Sequence, residues 1–331
     1  MCALQFSLSK RCEITGINDI VPVCKLSTPK RGAPPAALAG SDVFETLDSP
    51  YIYCWRWSTG EQTGALHITD GLSFFRTVIH HGARLAAYGR NDGSVCLKHI
   101  DTGKETDLPD PHHRSYGEDD CKSGGIESLA FSHDGQWLYT GNDEGEIDLW
   151  SVRDMRFVKT ISHINWNDHG LGIGAKPKLQ MSGDGKTLLI MAEREVLLMD
   201  VESERIRTRL PLDRFASGFF NAAMDPTAAY VLTQDSSFRV ALWDAVFDMQ
   251  IAELGKSKER FTKFSADGRF VMLGLRLFDL RRAVCLYNMQ DSGQDLTWAS
   301  ISPDGGSVLT CGENGADYQL WRVDYALRAP K

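Results

Sequence analysis

The sequence predicts an all-β protein built from one small sheet used many times. Three observations carry that prediction. Asp-Gly and Asn-Gly turn signals recur along the chain, short apolar runs separate them, and almost no stretch sustains a 3.6-residue helical periodicity. The stretch FSHDGQWLYTGNDEGEIDLW, Phe131 to Trp150, shows the unit most clearly. Asp134-Gly135 marks one turn and Asn142 to Gly145 the next. Gly, Asn and Asp reach positive φ cheaply, so they close tight turns between antiparallel strands. Between those turns Trp137-Leu138-Tyr139 is continuously apolar, as a strand buried on both faces requires. The following run alternates, Ile147 and Leu149 against Glu146 and Asp148, as half-exposed strands do.

The unit recurs. FSADGRFVMLGLRLFDL begins at Phe264, ISPDGGSVLTCGENGADYQLW at Ile301 and MSGDGKTLLIMAEREVLLMD at Met181. Weaker copies start at Ile79 and Met224. First turns fall near residues 82, 135, 185, 226, 268 and 305, about 37–53 apart. That brackets the roughly 40–50 residues per blade of propeller repeats, so the sheets are expected to share cores side by side around an axis. The opening copy is the most degenerate: Ile20–Ser27, Ala36–Gly40, Tyr51–Trp57 and Gly64–Ile68 read as its four strands. Seven units follow, 20–68, 73–108, 126–162, 177–210, 219–254, 261–288 and 297–323, in one domain spanning 1–331.

These residues resemble the WD40-repeat family over nearly the whole chain, about 20 to 323. FSHDGQWLYTGNDEGEIDLW is similar to the second half of such a repeat, with Trp150 at the tryptophan position. VALWD, ending at Asp244, carries the Trp-Asp pair, YQLW ends at Trp321, and DTGK follows His99-Ile100 like the turn between the last two strands. Asp92 holds the acidic turn position, which Glu144 takes in the next copy and Ser237 in the fifth. The Gly-His pair that usually opens a repeat is missing throughout, which implies that blade stability rests on packing more than on the family's buried hydrogen-bond tetrad. The resemblance implies a seven-bladed WD40-like β-propeller whose ring is closed by an end strand. The last unit lacks a fourth strand after Trp321-Arg322-Val323, while Leu4, Phe6 and Leu8 alternate with Gln5 and Ser7. Ala3–Leu8, at the amino end, is therefore expected to complete the last blade.

Composition bounds the function. Hydrophobic residues at 42% and charged residues at 24% suit a globular chain with a substantial core. A net charge of −8 argues against nucleic-acid binding, which needs a clustered cationic face. The 8 cysteines are scattered without a C-x-x-C pair, so neither a zinc knuckle nor a disulfide framework is expected. No apolar run is long enough to span a bilayer, and the first residues lack a signal-peptide pattern. No membrane association and a cytoplasmic location are expected.

Other signals dissolve on inspection. SGDGKT ends like a phosphate-binding loop, but Gln180 stands where the first Gly is needed, and no helix pattern follows. GLGIGAKPK, from Gly170 to Lys178, runs through Pro177 into a strand rather than a helix. His112, His113, Asp119, Asp120 and Cys121 include metal-ligating types, yet adjacent histidines diverge. A polar loop is the expected role of that segment, with no metal, cofactor or catalytic residue assigned.

Its position matters more. The connections 107–125 and 162–177 each join the last strand of one unit to the first of the next. Both should emerge on the same face as the second-to-third strand turns, where Ser41–Pro50 is also expected. This places His112, His113, Tyr116, Trp166 and His169 on one rim, with Asp92, Asn142 and Glu144 on turns beside them. Long loops on a rigid scaffold commonly carry binding, and Tyr and Trp commonly anchor interfaces. The expected function is a non-catalytic interaction scaffold: a monomeric propeller within a larger complex, holding a basic or mixed protein or peptide partner. The alternative is an enzyme or small-ligand binder using the central cavity. It predicts carboxylates or histidines recurring near the starts of the first strands, which read Ser-Phe-Phe, Ile-Glu-Ser, Lys-Pro-Lys, Phe-Phe-Asn, Phe-Thr-Lys and Thr-Trp-Ala.

Overall fold

The computed structural model describes residues 13–26, 42–48, 51–67, 77–109, 111–112, 125–163, 177–192, 194–211, 216–258, 262–312 and 318–328. A long strand, β1 (Glu13–Lys25), opens the described chain. Blade one contains β2 (Val43–Asp48), β3 (Tyr51–Arg56) and β4 (Gln62–His67). Blade two contains β5 (Thr77–His80), β6 (Leu85–Gly89), β7 (Val95–His99) and β8 (Glu105–Leu108). Blade three contains β9 (Ile126–Phe131), β10 (Trp137–Asn142), β11 (Glu146–Ser151) and β12 (Arg156–His163). Blade four contains β13 (Lys178–Met181), β14 (Thr187–Met191), β15 (Val196–Asp200) and β16 (Arg205–Leu210). Blade five contains β17 (Phe219–Met224), β18 (Tyr230–Asp235), β19 (Arg239–Asp244) and β20 (Met249–Lys256). Blade six contains β21 (Thr262–Phe264), β22 (Phe270–Leu273), β23 (Arg276–Asp279) and β24 (Val284–Asn288). Blade seven contains β25 (Leu296–Ile301), β26 (Ser307–Gly312) and β27 (Tyr318–Arg328), with β1 paired outside β27. The molecule is a seven-bladed β-propeller.

Local chemistry explains why the same sheet forms repeatedly. In blades three, four, six and seven the first turn is Ser-x-Asp-Gly. The hydroxyls of Ser132, Ser182, Ser265 and Ser302 donate to Asp134, Asp184, Asp267 and Asp304 at 2.6–2.7 Å. The same oxygens accept the amides of Trp137, Thr187, Phe270 and Ser307, so one side chain ties both ends of each turn. Gly135, Gly185, Gly268 and Gly305 all take φ between +68° and +76°. Blade five reaches the same turn with Asp225 and Thr227, leaving Ala228 at φ +57°.

Seven hydrophobic clusters lie between blades, one at each of the seven boundaries. Side chains alternate along each strand, so a middle strand feeds two clusters at once. In β14, Leu188 and Ile190 pack toward Tyr139 and Ile147 of blade three. Leu189 and Met191 pack toward Met224 and Val231 of blade five. The ring closes where Leu309 and Leu320 of blade seven meet Tyr53 and Trp55 of blade one.

Two expectations need correction. The closing strand is β1, with Ile20 opposite Val323 and Val21 opposite Arg322. Ile20–Lys25 therefore belongs to the last blade and not to the first, because Ile20 completes a cluster with Met289, Trp321 and Tyr325. Ala3–Leu8 and Ala36–Gly40 lie outside the described residues. Second, Val43–Asp48 is a strand, paired from Val43–Arg56 to Asp48–Tyr51, so this part of the expected Ser41–Pro50 enlargement is sheet rather than loop. Its alternation reads as strand once Phe44 is seen buried against Trp55 and Trp57. Buried hydrogen bonds add to the packing of the blades. The indole N–H groups of Trp150, Trp243 and Trp321 donate to the hydroxyls of Thr140, Thr233 and Thr310 at 2.8–2.9 Å.

Candidate functional site

Second-to-third strand turns and blade-to-blade connections share one face, here the upper; the remaining turns share the lower. On the upper face, the turns of blades two and three lie beside the described ends of the connection 107–125. Asp92 Oδ1 accepts the amide and hydroxyl of Ser94 at 3.0 and 2.6 Å, shaping the blade-two turn. Burial works to raise its carboxyl, but the Ser94 bonds and the Arg90 charge outweigh that and hold it below the usual range. Asn142 is only 1% exposed. Its Oδ1 accepts the amides of Glu144 and Glu146 at 3.1 and 2.9 Å, which shapes the blade-three turn from inside. Glu144 is exposed.

Both ends of the connection are fastened to this rim. At the far end, Gly125 O accepts the amide of Asp143 at 3.0 Å, and Ile126 N–H donates to Arg90 O at 2.9 Å. A Cβ on Gly125 would stand 3.2 Å from Asn91 O, a tight approach that glycine leaves open. At the near end His112 turns inward. Its Nε2 lies 3.0 Å from Asp148 Oδ2 and 3.4 Å from Glu146 Oε2. Its ring meets Phe157 edge-on at 5.9 Å, and Phe157 meets Trp150 likewise at 5.7 Å. Asp148, 2% exposed, also accepts the Thr160 hydroxyl at 2.7 Å. Burial raises its carboxyl, against the opposing hydrogen bonds from Thr160 and His112.

The structure thus brings His112, Asn142 and Glu144 to one end of blade three, with Asp92 on the adjoining turn. His112 faces Glu146 and Asp148 of blade three. His113, Tyr116, Trp166 and His169 lie outside the described residues. Sequence reasoning missed Glu146 and Asp148. Their signal was the i, i+2 spacing on β11, which puts both side chains on one face.

The central cavity is lined by the first strands. A volume of about 340 Å³ lies among residues such as His80, Phe131, His133 and Gln180 of blades two to four. His80 is committed to structure: its Nδ1 accepts Ala83 N–H at 2.8 Å and its Nε2 lies 3.0 Å from His133 O. Lys178 donates to Asn221 Oδ1 at 2.6 Å, and Asn221 in turn to Thr262 at 3.2 Å, joining the inner strands of blades four, five and six. Burial pulls the Lys178 ammonium down to about 8.

On the lower face and outer edge of blade five, Val246, Phe247, Met249 and Ile251 are 49–72% exposed. Among the described residues no helix is long and apolar enough to cross a membrane. No protein-family model matches the chain, and no curated protein matches it either.

Proposed function

We propose that this chain is a WD40-like, non-catalytic scaffold of the cytoplasm that holds a protein or peptide on its upper face within a larger complex. One observation carries the reading: the connection 107–125 is fastened at its far end to the turns of blades two and three and, through His112, to β11 at its near end, beside exposed Asp92 and Glu144. Anchored loops on a fixed frame are where binding residues concentrate. The acidic rim favours a basic or mixed partner, and its charge acts mainly on association rate. His80, held by backbone groups, supports the non-catalytic reading of the cavity. Tyr116 and Trp166 are the anchors proposed on the same connections.

The exposed apolar group on blade five favours a second reading, contact through the lower face. Capture from lysate separates the two, using wild type, Asp92→Lys/Glu144→Lys, Tyr116→Ala/Trp166→Ala and Phe247→Asp. The proposal expects one polypeptide retained by wild type and Phe247→Asp, and lost from the other two. Equal recovery by all four chains overturns it. Loss from Phe247→Asp alone establishes the lower face instead.

A further inference from the structure

We propose that His112, Glu146 and Asp148 form a binding site for one divalent first-row transition ion of the zinc type. The inference is independent of the partner-binding reading. An imidazole nitrogen and two carboxylate oxygens are a ligand set such ions accept. The three atoms lie within 4.8 Å of one another, with His112 Nε2 at 3.0 and 3.4 Å from the two oxygens. An ion about 2.0–2.2 Å from each donor holds its donors roughly 3–3.5 Å apart, and both distances from His112 Nε2 fall there, with the three atoms within 4.8 Å of one another. The 3.0 Å contact with Asp148 is also a hydrogen-bond distance, while 3.4 Å to Glu146 lies beyond the usual N–H···O distance.

The groups around the ligands orient them as outer partners do in metal sites. Thr160 donates to the other oxygen of Asp148 at 2.7 Å, and Asn142 Nδ2 donates to Glu146 Oε2 at 2.6 Å. Both carboxylates project from the same face of β11, and β10 and β12 hold that strand from either side. The propeller itself does not demand this pair. The corresponding positions are Ser94 and Cys96 in blade two and Arg239 and Ala241 in blade five, and both build the same sheet. Two acids at 12% and 2% side-chain exposure repel each other in a poorly solvated place. A divalent ion neutralises both and pins His112, hence the near end of the connection, to blade three. The sequence hid the site because it places two histidines and three loop residues side by side. The ligands that His112 meets come instead from a strand more than thirty residues later.

The test uses the full chain, stripped with chelator and titrated with Co²⁺ under visible absorption, then with Zn²⁺ in competition. The expected result is one equivalent of Co²⁺ giving ligand-field bands, displaced by one equivalent of Zn²⁺. His112→Ala and Glu146→Gln should each weaken binding at least about tenfold, and Thr160→Val about tenfold through the outer partner. Because Asp148→Asn reaches into the blade, His112→Ala is the deciding variant, its fold checked by circular dichroism. Zn²⁺ should raise the melting temperature of wild type and not that of His112→Ala. Absence of ligand-field bands, or equal Co²⁺ affinity in wild type and His112→Ala, overturns the proposal.

Discussion

At the scale of single residues, the turn chemistry decides where the chain can tolerate a side chain. Gly185 sits at φ +72°, and a Cβ there would stand 2.6 Å from His133 Cβ on the neighbouring blade. Gly103 has a similar φ of +67° but open space around it. The two separate conformational strain from collision. Gly103→Ala should cost about 1 kcal/mol, the left-handed penalty alone. Gly185→Ala should cost about 2–4 kcal/mol, because two blades must also part. Urea midpoints at unchanged slope measure both, and equal losses would mean that the interblade contact carries no energy. The Asp-Gly signals were legible in the sequence because their chemistry is local. The role of Asn142 was not, since an Asn in a turn looks the same whether it faces solvent or caps the turn from inside.

Elements were legible where a strand declares itself through its neighbours in sequence, and less so where pairing is distant. Blades two to seven show both turns and both runs within about forty residues, so their inner three strands could be read directly. The last blade is completed from the opposite end of the described chain, and only the pairing across about 300 residues reveals which segment does it. Burial fits β1 in that place, since Ile20 is 7% exposed in the cluster between blades six and seven, while Val21 beside it is 47% exposed. Ile20→Ala should therefore cost about 2–4 kcal/mol, and Val21→Ala within about 0.5 kcal/mol. A cycle combining Ile20→Ala with Val323→Ala should show coupling of about 0.5–3 kcal/mol. Additive losses in urea unfolding would reject this closure. The site at the head of blade three was hidden for a related reason: its carboxylates looked like the solvent half of an alternating strand.

At the scale of the whole ring, what has to be held together is a circle of sheets that meet along their inner strands. Seven clusters do most of this by burial, each removing large side chains from water on both sides of a boundary. Polar groups on the inner strands do the rest, and Lys178 is the most exacting of them. Its ammonium reaches across to Asn221, which reaches on to Thr262, so blades four, five and six share one hydrogen-bonded line. Burial lowers its folded pKa from 10.5 to about 8. Between those values the unfolded chain binds the proton that the folded ring has released, so this group makes stability rise with pH. Below about 8 both states are protonated, and the cost of burying the charge is then fully present and constant. Lys178→Met keeps the packing length and removes the titration. Wild-type stability should therefore climb relative to the variant between pH 8 and 10.5, with a flat difference below that window. Urea unfolding of both chains at several pH values measures it. A difference that stays flat through the window would mean that the ammonium is solvated by the channel rather than by its neighbours.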